Sequence, residues 1–194
     1  MTNPHNVSLP NSSFCTTAVF SLLAAFFSMF SCCLLAETGS YQIELLVFSQ
    51  NGPDTEAFDQ SSSQIEWPNT LTELSAFTEV GPLMLTDSIS ALSKNSAYQP
   101  IFHSAWIQSI EENSPGSPVH IQSTDGKLNG FVQMQRGRTL QMTIGLEYTA
   151  GQNEVNSEPF IYRIHEKRPF QLNDLQYFDH PKLGAITKIS TITK

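Results

Sequence analysis

The chain has 194 residues, a formal net charge of −8 and an isoelectric point of about 5.0. The charge is uneven: residues 37–112 hold eleven acids against the single base Lys94, a balance of −10, whereas residues 113–194 hold nine bases against seven acids, a balance of +2. This composition excludes binding to nucleic acid or anionic lipid by bulk attraction, so an anionic ligand would need a local basic patch in the C-terminal part.

The first 36 residues have the pattern of a secretory leader. An apolar run from Ala18 to Phe30 has the length of a signal-peptide core, and it is followed by a polar start at Glu37. We therefore predict a signal peptide over residues 1–36, cleavage near Ala36 and export of the mature chain. The stretch before the core has no Lys or Arg, which leaves an uncleaved N-terminal anchor as the alternative.

All three cysteines, Cys15, Cys32 and Cys33, fall inside the predicted leader. The mature fold is therefore predicted to form without disulfides or thiolate metal sites. Retention of Cys32 or Cys33 as a lipid-bearing residue is the alternative, and the bulky Phe30 that precedes them disfavours it.

The mature part, residues 37–194, has the ordinary size of one domain. Its first element is a buried strand over Tyr41–Phe48, because β-branched and aromatic residues alternate there. Residues 49–84 predict a long loop excursion, rich in Asn, Ser, Gly and Pro, with a short helix from Thr70 to Phe77 on capping-box spacing. A clearer helix is predicted from Asp87 to Asn95, with Asp87 as its N-cap.

Strand patterns follow at residues 101–107, 119–121, 128–135, 139–148, 160–167 and 185–189. The two central segments predict a hairpin in which Gly137 takes a positive φ in the tight turn. Pro169 is expected to end or bulge its strand, and residues 180–184 to form the last turn. Together these elements predict a single α+β domain: a mostly antiparallel β-sheet with one or two packed helices.

Two tryptophans are candidates for stacking on a sugar ring. Trp106 lies in an alternating strand, where a place in the core is the stronger interpretation. Trp67 lies in the polar excursion and is the better candidate for an exposed platform, although it could equally pin that loop to the domain.

Basic residues cluster at the predicted hairpin tip. Arg136 and Arg138 flank one glycine, so their guanidinium groups could each bind a carboxylate with two hydrogen bonds. The alternative is that both are solvated turn residues that prevent pairing with the edge of another sheet. Arg163, Lys167 and Arg168 could widen this patch, since Arg163 and Lys167 share a strand face.

The segment Asp179-His180-Pro181 places a carboxylate beside an imidazole. Adjacent residues rarely point at one another, and Pro181 forces His180 into an extended conformation. Asp179 is therefore expected to accept backbone N–H bonds as an Asx motif, with a structural role first and ligand contact second.

The residue spacings and motifs of the mature sequence do not indicate a catalytic site, a cofactor site or a metal site. The mature histidines lack the spacing of zinc ligands, there is no mature cysteine and no G-x-S-x-G motif, and Ser104 lies on the opposite strand face from His103. These histidines are His103, His120, His165 and His180.

Four segments resemble the family of CsiV-type periplasmic peptidoglycan-binding proteins. They are the first strand Tyr41–Phe48, the segment from Tyr98 through His103 to Gln108, the hairpin from Leu128 to Arg138, and Leu175–Gly184, which is the most specific. The chain departs from the family's pattern at Gln141, where a histidine is common, and at Pro169, which interrupts a usually basic segment.

The resemblance implies a non-enzymatic periplasmic protein that binds peptidoglycan and assists a penicillin-binding synthase through its outer-membrane lipoprotein activator, supporting wall growth and cell shape. The alternative is an envelope adaptor that docks proteins and does not bind the wall directly. The expected ligand-binding residues are Trp106, Arg136, Arg138, His103, Tyr177, Asp179 and His180.

Overall fold

The computed structural model describes residues 38–51, 64–152 and 159–192, all of which belong to one compact unit, Glu37–Lys194. The predicted leader lies outside the described residues. In the described part, two β-sheets pack face to face, with one α-helix against an outer face. The prediction of a mostly antiparallel β domain with a packed helix is confirmed, but the strands form two sheets instead of one.

The first sheet has five strands, and every pairing in it is antiparallel. In spatial order these are β10 (Leu175–His180), β11 (Leu183–Thr191), β1 (Thr38–Gln50), β4 (Tyr98–Glu111) and β3 (Thr78–Glu79). The longest strands of this sheet, β1 and β4, lie side by side, and β10 is an edge strand.

The second sheet is antiparallel except for the short β2–β6 pair. In spatial order its strands are β2 (Thr72–Glu73), β6 (Val119–Gln122), β7 (Leu128–Arg136), β8 (Leu140–Gln152) and β9 (Pro159–Phe170), with β5 (Ser114–Pro115) also paired to β7. The long edge strand of this sheet is β9.

The core lies between the sheets and follows from alternation along the strands. Inward positions of β1 meet those of β8, where every second residue is apolar, as the sequence predicts. The core members from these two strands are Tyr41, Ile43, Leu45, Val47, Met142, Ile144 and Leu146. Burial of one such large apolar side chain contributes about 1.5–3 kcal/mol, so this interface dominates the stability of the fold.

The helix α1 (Thr86–Ser93) lies against β4 on the outer face of the first sheet. Its N-cap is Leu85, without a side-chain cap, so the prediction of Asp87 as N-cap is wrong. The buried carboxylate of Glu44 accepts the backbone N–H groups of Met84 and Leu85 instead. Asp87 lies one residue inside the helix, where its charge still favours the N-terminal end of the dipole.

The predicted helix at 70–77 is wrong. Its residues form only a 3-10 turn, Leu74–Ala76, between β2 and β3, because each of these short strands pairs with a neighbouring strand. The described part of the excursion is thus tied to both sheets, and residues 52–63 lie outside the described residues.

The predicted hairpin is confirmed as β7 and β8, with Arg136 inside the strand. Gly137 does not take the predicted positive φ; the glycines that do in the described residues are Gly126 and Gly151. Pro169 pairs with Gln141 and the strand ends one residue later, a position that an edge strand tolerates. The two departures from the family's pattern therefore lie side by side at the hairpin-tip end of the second sheet.

Candidate functional site

A cleft of about 470 Å³ opens at the end of the sandwich where β1 and β8 finish. Both sheets line it, through the ends of β1 and β8, the starts of β4 and β9, and the β10–β11 turn. The lining residues are Ser49, Gln50, Asn51, Gln99, Tyr148, Ala150, Tyr162 and Lys182. Three of these residues carry side-chain amides, and we call the site the amide cleft.

The backbone fixes the wall of the amide cleft. The N–H of Gln50 donates to the carbonyl of Lys182 at 3.1 Å, and the N–H of Asn51 donates to the carbonyl of Ala97 at 2.7 Å. Because of these two bonds, the backbone remains hydrogen-bonded up to and just beyond the C-terminal end of β1. The amide side chains are therefore mounted on paired backbone and not on a free loop.

Gln50 joins the amide cleft to the C-terminal motif. Its Nε2 group donates to the Tyr177 hydroxyl at 3.1 Å, to Asp179 Oδ1 at 3.2 Å and to the His180 carbonyl at 3.1 Å. The Tyr177 hydroxyl in turn donates to Asp179 Oδ1 at 2.7 Å. The structure thus brings together Tyr177, Asp179 and His180, three of the predicted site residues.

The Tyr177 hydroxyl and the His180 ring are neutral near pH 7. Burial, reinforced by the hydrogen bond to Asp179, raises the pKa of Tyr177 to about 12. Burial lowers the pKa of His180, and the nearby charge of Asp179 opposes this only in part. His180 Nδ1 accepts the backbone N–H of Lys182 at 3.2 Å, so the neutral ring carries its proton on Nε2.

The expected Asx motif at Asp179 is wrong, because its carboxylate accepts from the side chains of Gln50 and Tyr177. The turn is held by His180 instead, which accepts the N–H of Lys182. The reason is local: β10 continues to His180, so Asp179 lies in a strand and its side chain points across to the end of β1.

Trp106 and His103 lie away from the amide cleft. Trp106 is 1% exposed and belongs to the core, so its ring is not available to stack on a ligand. His103 lies on the outer face of the first sheet, where its Nε2 is 2.7 Å from Oε1 of the buried Glu44. Both side chains are parts of the packing of β4.

Arg136 and Arg138 lie at the opposite end of the second sheet from the amide cleft. Eight residues of β8 separate Leu140, beside the turn, from Tyr148 in the cleft, which corresponds to roughly 25 Å of strand. The arginine pair and the C-terminal motif therefore do not form one surface.

The wider basic patch predicted around Arg163, Lys167 and Arg168 does not form. Arg168 lies against β10, with its guanidinium 4.9 Å from the centroid of the Phe178 ring and its Nη1 donating to the Tyr177 carbonyl at 3.0 Å, while its side chain stays 40% exposed. Arg163 pairs with Glu147 at 2.7 Å. Lys167 lies on the outer face of the second sheet, where its Nζ donates to Gln135 Oε1 at 3.3 Å.

Sequence reasoning missed Gln50, Tyr148 and Tyr162. Gln50 and Asp179 are 129 residues apart in the chain, so no local pattern joins them. A usable signal was the motif Leu175–Gly184, whose turn contains Lys182 and whose His180 ring packs 5.5 Å from that of Tyr162.

The amide cleft presents amide donors and acceptors, two phenol rings and one ammonium group. Such a lining suits a polar ligand with amide and carboxylate groups. In the described residues no set of three or more His, Cys, Asp or Glu side chains is placed to hold a metal ion. Nor does any helix in the part that the structure describes have the length and apolar character needed to cross a membrane.

The fold and the cleft define a small β-sandwich protein with a candidate binding site at one end. The model of a family described as "Peptidoglycan-binding protein, CsiV" matches residues 78–192, more than half of the chain. The chain belongs to this family, and three of the four resembling segments, including Leu175–Gly184, lie within the match. No curated protein and no solved structure matches the chain.

Proposed function

We propose that this protein binds peptidoglycan through the amide cleft. Membership of a peptidoglycan-binding family supports the ligand class. The amide cleft supports the location, because Leu175–Gly184, the most specific part of the resemblance, contributes Lys182 to its lining and is bonded to Gln50. The stem peptides of peptidoglycan offer the amide and carboxylate groups that this lining can bond.

The main support for this proposal is the chemistry of the residues that line the amide cleft. Asn51 and Gln99 supply side-chain amides that match peptide groups, and Lys182 supplies one positive charge for a carboxylate. Gln50 offers its amide oxygen, because its Nε2 hydrogens are used within the protein. A volume of about 470 Å³ falls within the range of small-ligand sites, roughly 300–1,000 Å³, and is sufficient for a short peptide segment.

The proposed role is binding without catalysis. His180 Nδ1 already accepts the backbone N–H of Lys182, and Asp179 already accepts from Gln50 and Tyr177, so these contacts engage the two groups that could act as a base. These contacts are suited to holding the turn in shape. Release of muropeptides from isolated sacculi by the purified protein would contradict this part of the proposal.

The cellular role we propose is support of wall growth and cell shape in the periplasm. The predicted leader at residues 1–36 supports export, and a peptidoglycan ligand supports a location in the envelope. Assistance to a penicillin-binding synthase, through its lipoprotein activator, is the function that this placement favours.

Co-sedimentation with isolated sacculi tests the proposal. The purified protein is expected to pellet, and Lys182→Ala is expected to weaken binding about tenfold, because a charge-assisted hydrogen bond contributes about 1.5–3 kcal/mol and the cleft is open. Lys188→Ala, on the strand β11 that follows the turn and outside the cleft, is the charge-matched control and should bind normally. Protein that stays in the supernatant at low salt would refute the proposal.

The same assay separates the amide cleft from the hairpin tip. The double variant Arg136→Ala/Arg138→Ala removes two charges roughly 25 Å away along β8. If that variant loses binding while Lys182→Ala retains it, the tip holds the wall and the cleft does not. Circular dichroism of each variant shows whether the fold is intact.

The second candidate function is a protein adaptor of the envelope. One observation favours it: Leu172, Leu175 and Tyr177 are large apolar side chains exposed on or beside the edge strand β10, with Leu175 53% exposed. Such side chains are typical of protein contacts. A photo-crosslinker at Leu175 should then capture a protein whose recovery survives digestion of the sacculi.

A further inference from the structure

The outer face of the second sheet carries a small apolar cluster on an otherwise polar surface. Phe131 points outward from β7, yet it is only 1% exposed because Ile65 and Trp67 lie over it. Gly145 opposes Phe131 on β8 and leaves room for this layer. A Cβ at Gly145 would lie 2.6 Å from the Phe131 ring and 2.9 Å from Ile65.

Trp67 forms the outermost layer of this cluster. Its ring is 5.8 Å from the Phe131 ring between centroids, at an interplanar angle of 53°, and its side chain remains 38% exposed. The contact with Phe131 fixes the indole from beneath, and part of its surface faces solvent. A flat aromatic surface held in this way is already ordered before a ligand arrives, which lowers the entropy cost of binding.

A groove of about 440 Å³ runs beside Trp67 across three strands. It is lined by Glu66, Trp67, Pro68, Phe131, Gln133, Thr143, His165 and Lys167. The polar side chains come from regular positions on β7, β8 and β9, so they form a fixed array next to the indole. We call this site the tryptophan groove.

The polar array offers several hydrogen-bonding groups. Lys167 Nζ has three donor hydrogens, and its bond to Gln135 uses one of them. Thr143 and His165 contribute groups that both donate and accept. Gln133 is held in place by donating from Nε2 to the Gly116 carbonyl at 3.0 Å, which orients its side chain on the sheet.

We infer that the tryptophan groove binds a sugar ring of the glycan strand, an N-acetylated hexosamine. The apolar CH face of a pyranose fits against an indole, while its hydroxyl and acetamido groups need polar partners at the ring edge. The tryptophan groove supplies both within one site. This inference rests on the proposed peptidoglycan binding and assigns the sugar to this groove and the stem peptide to the amide cleft.

Tryptophan fluorescence tests the inference directly, because the chain has only two tryptophans and Trp106 is buried. The protein purified after expression of the full-length chain is titrated with a peptide-free hexamer of N-acetylglucosamine. A saturable change in emission is expected. Trp67→Ala should abolish that signal, and its affinity, measured by calorimetry, should fall at least about tenfold.

Variants separate binding from folding. Trp67→Phe keeps a ring over Phe131 and should bind with intermediate affinity, while Lys167→Ala leaves the apolar cluster untouched and should weaken the hexamer about threefold to tenfold. Lys127→Ala, an exposed lysine away from the groove, is the matched control and should bind normally. Melting curves by circular dichroism show whether each variant is folded.

The outcomes distinguish this inference from the proposed function. If the unmodified protein pellets with sacculi but gives no response to the hexamer, the sugar site is wrong and the proposed function stands. If it neither pellets nor responds, both fail. A change in Trp67 emission with a synthetic stem peptide, and none with the hexamer, would show that the tryptophan groove binds peptide. This result would overturn the assignment of the sugar to the groove. Sacculus binding that Lys182→Ala weakens, with hexamer binding retained, supports the division of roles.

Discussion

The outer faces of the two sheets differ in how they are covered. The first sheet is closed by α1 and the loop that precedes it, so that residues 41–49 of β1 are buried whichever way their side chains point. The second sheet is open: Ile65 and Trp67 cover Phe131, and the groove beside them, lined by apolar and polar side chains, is accessible. A face sealed by a helix contributes to stability, whereas an open polar face is free to meet a ligand.

One Glu–His pair on each outer face makes the difference measurable. Glu44 is fully buried and lies 2.7 Å from His103, while Glu73 lies 3.0 Å from His120 and its side chain is 68% exposed. The two pairs have the same chemistry in opposite surroundings. Glu44 is buried and also accepts two backbone N–H groups, so its contribution to stability should be the larger of the two.

The largest expected effect is that of Glu44→Ala. The change removes the acceptor of two backbone N–H groups and of His103, and each buried donor left without a partner costs about 1–3 kcal/mol. Glu73→Ala, at the exposed pair, should cost less than about 1 kcal/mol. Urea unfolding followed by circular dichroism measures both values.

If Glu44→Ala and Glu73→Ala lower the free energy of unfolding by the same amount, the proposed difference between the two outer faces is wrong. A small loss for Glu44→Ala would mean that the loop before α1 does not depend on the buried carboxylate. Helix content read from the same spectra separates local loss of α1 from global destabilisation.

An intermediate effect is expected for Gly145→Ala. The added methyl would meet the rings and methyl groups of Phe131 and Ile65 within 2.9 Å, and overpacking of this kind costs about 1–3 kcal/mol. The layer that carries Trp67 must shift, so the emission of Trp67 should move to longer wavelength. Gly137→Ala, where the nearest atom is 3.8 Å away, is the control and should leave stability and emission nearly unchanged.

The sequence was sufficient for features whose cause is local. Alternation placed the buried faces of β1 and β8, and the β7–β8 hairpin was located by its flanking strands. The conformation of Gly137 was not predictable, because a three-residue turn can be closed without a positive φ. The N-cap prediction for Asp87 is wrong because the helix begins one residue earlier, at Thr86, after a segment that the buried carboxylate of Glu44, distant in sequence, holds in place.

The candidate site was predictable only in part. The C-terminal motif pointed to Tyr177, Asp179 and His180, which do lie together. The amide cleft was not visible, because its walls come from strand ends far apart in sequence. Arg168 was assigned to a patch with Arg163 and Lys167, but a cation–π contact with Phe178 and a bond to the Tyr177 carbonyl hold it against β10.

The smallest expected effects are in the pH dependence of stability, where two histidines act in opposite directions. Burial lowers the pKa of His180, so below about pH 6.5 the unfolded chain takes up a proton that the native chain does not, and stability falls as the pH drops. Hydrogen bonding to Asn129, together with Glu73, raises the pKa of His120. Its contribution is complete below about pH 6.5 and is lost as the pH rises through the raised pKa.

Urea midpoints between pH 5 and pH 8 should therefore change slope in opposite directions in two variants. His180→Gln should flatten the loss of stability on the acid side, because no buried ring then resists protonation. His120→Gln should flatten the loss on the neutral side, because the exposed pair with Glu73 no longer binds a proton in the native state. If the urea midpoint changes with pH by the same slope in both variants and in the parent, the protonation of neither ring is coupled to folding. The motif around Tyr177 and Asp179 would then not depend on a neutral His180.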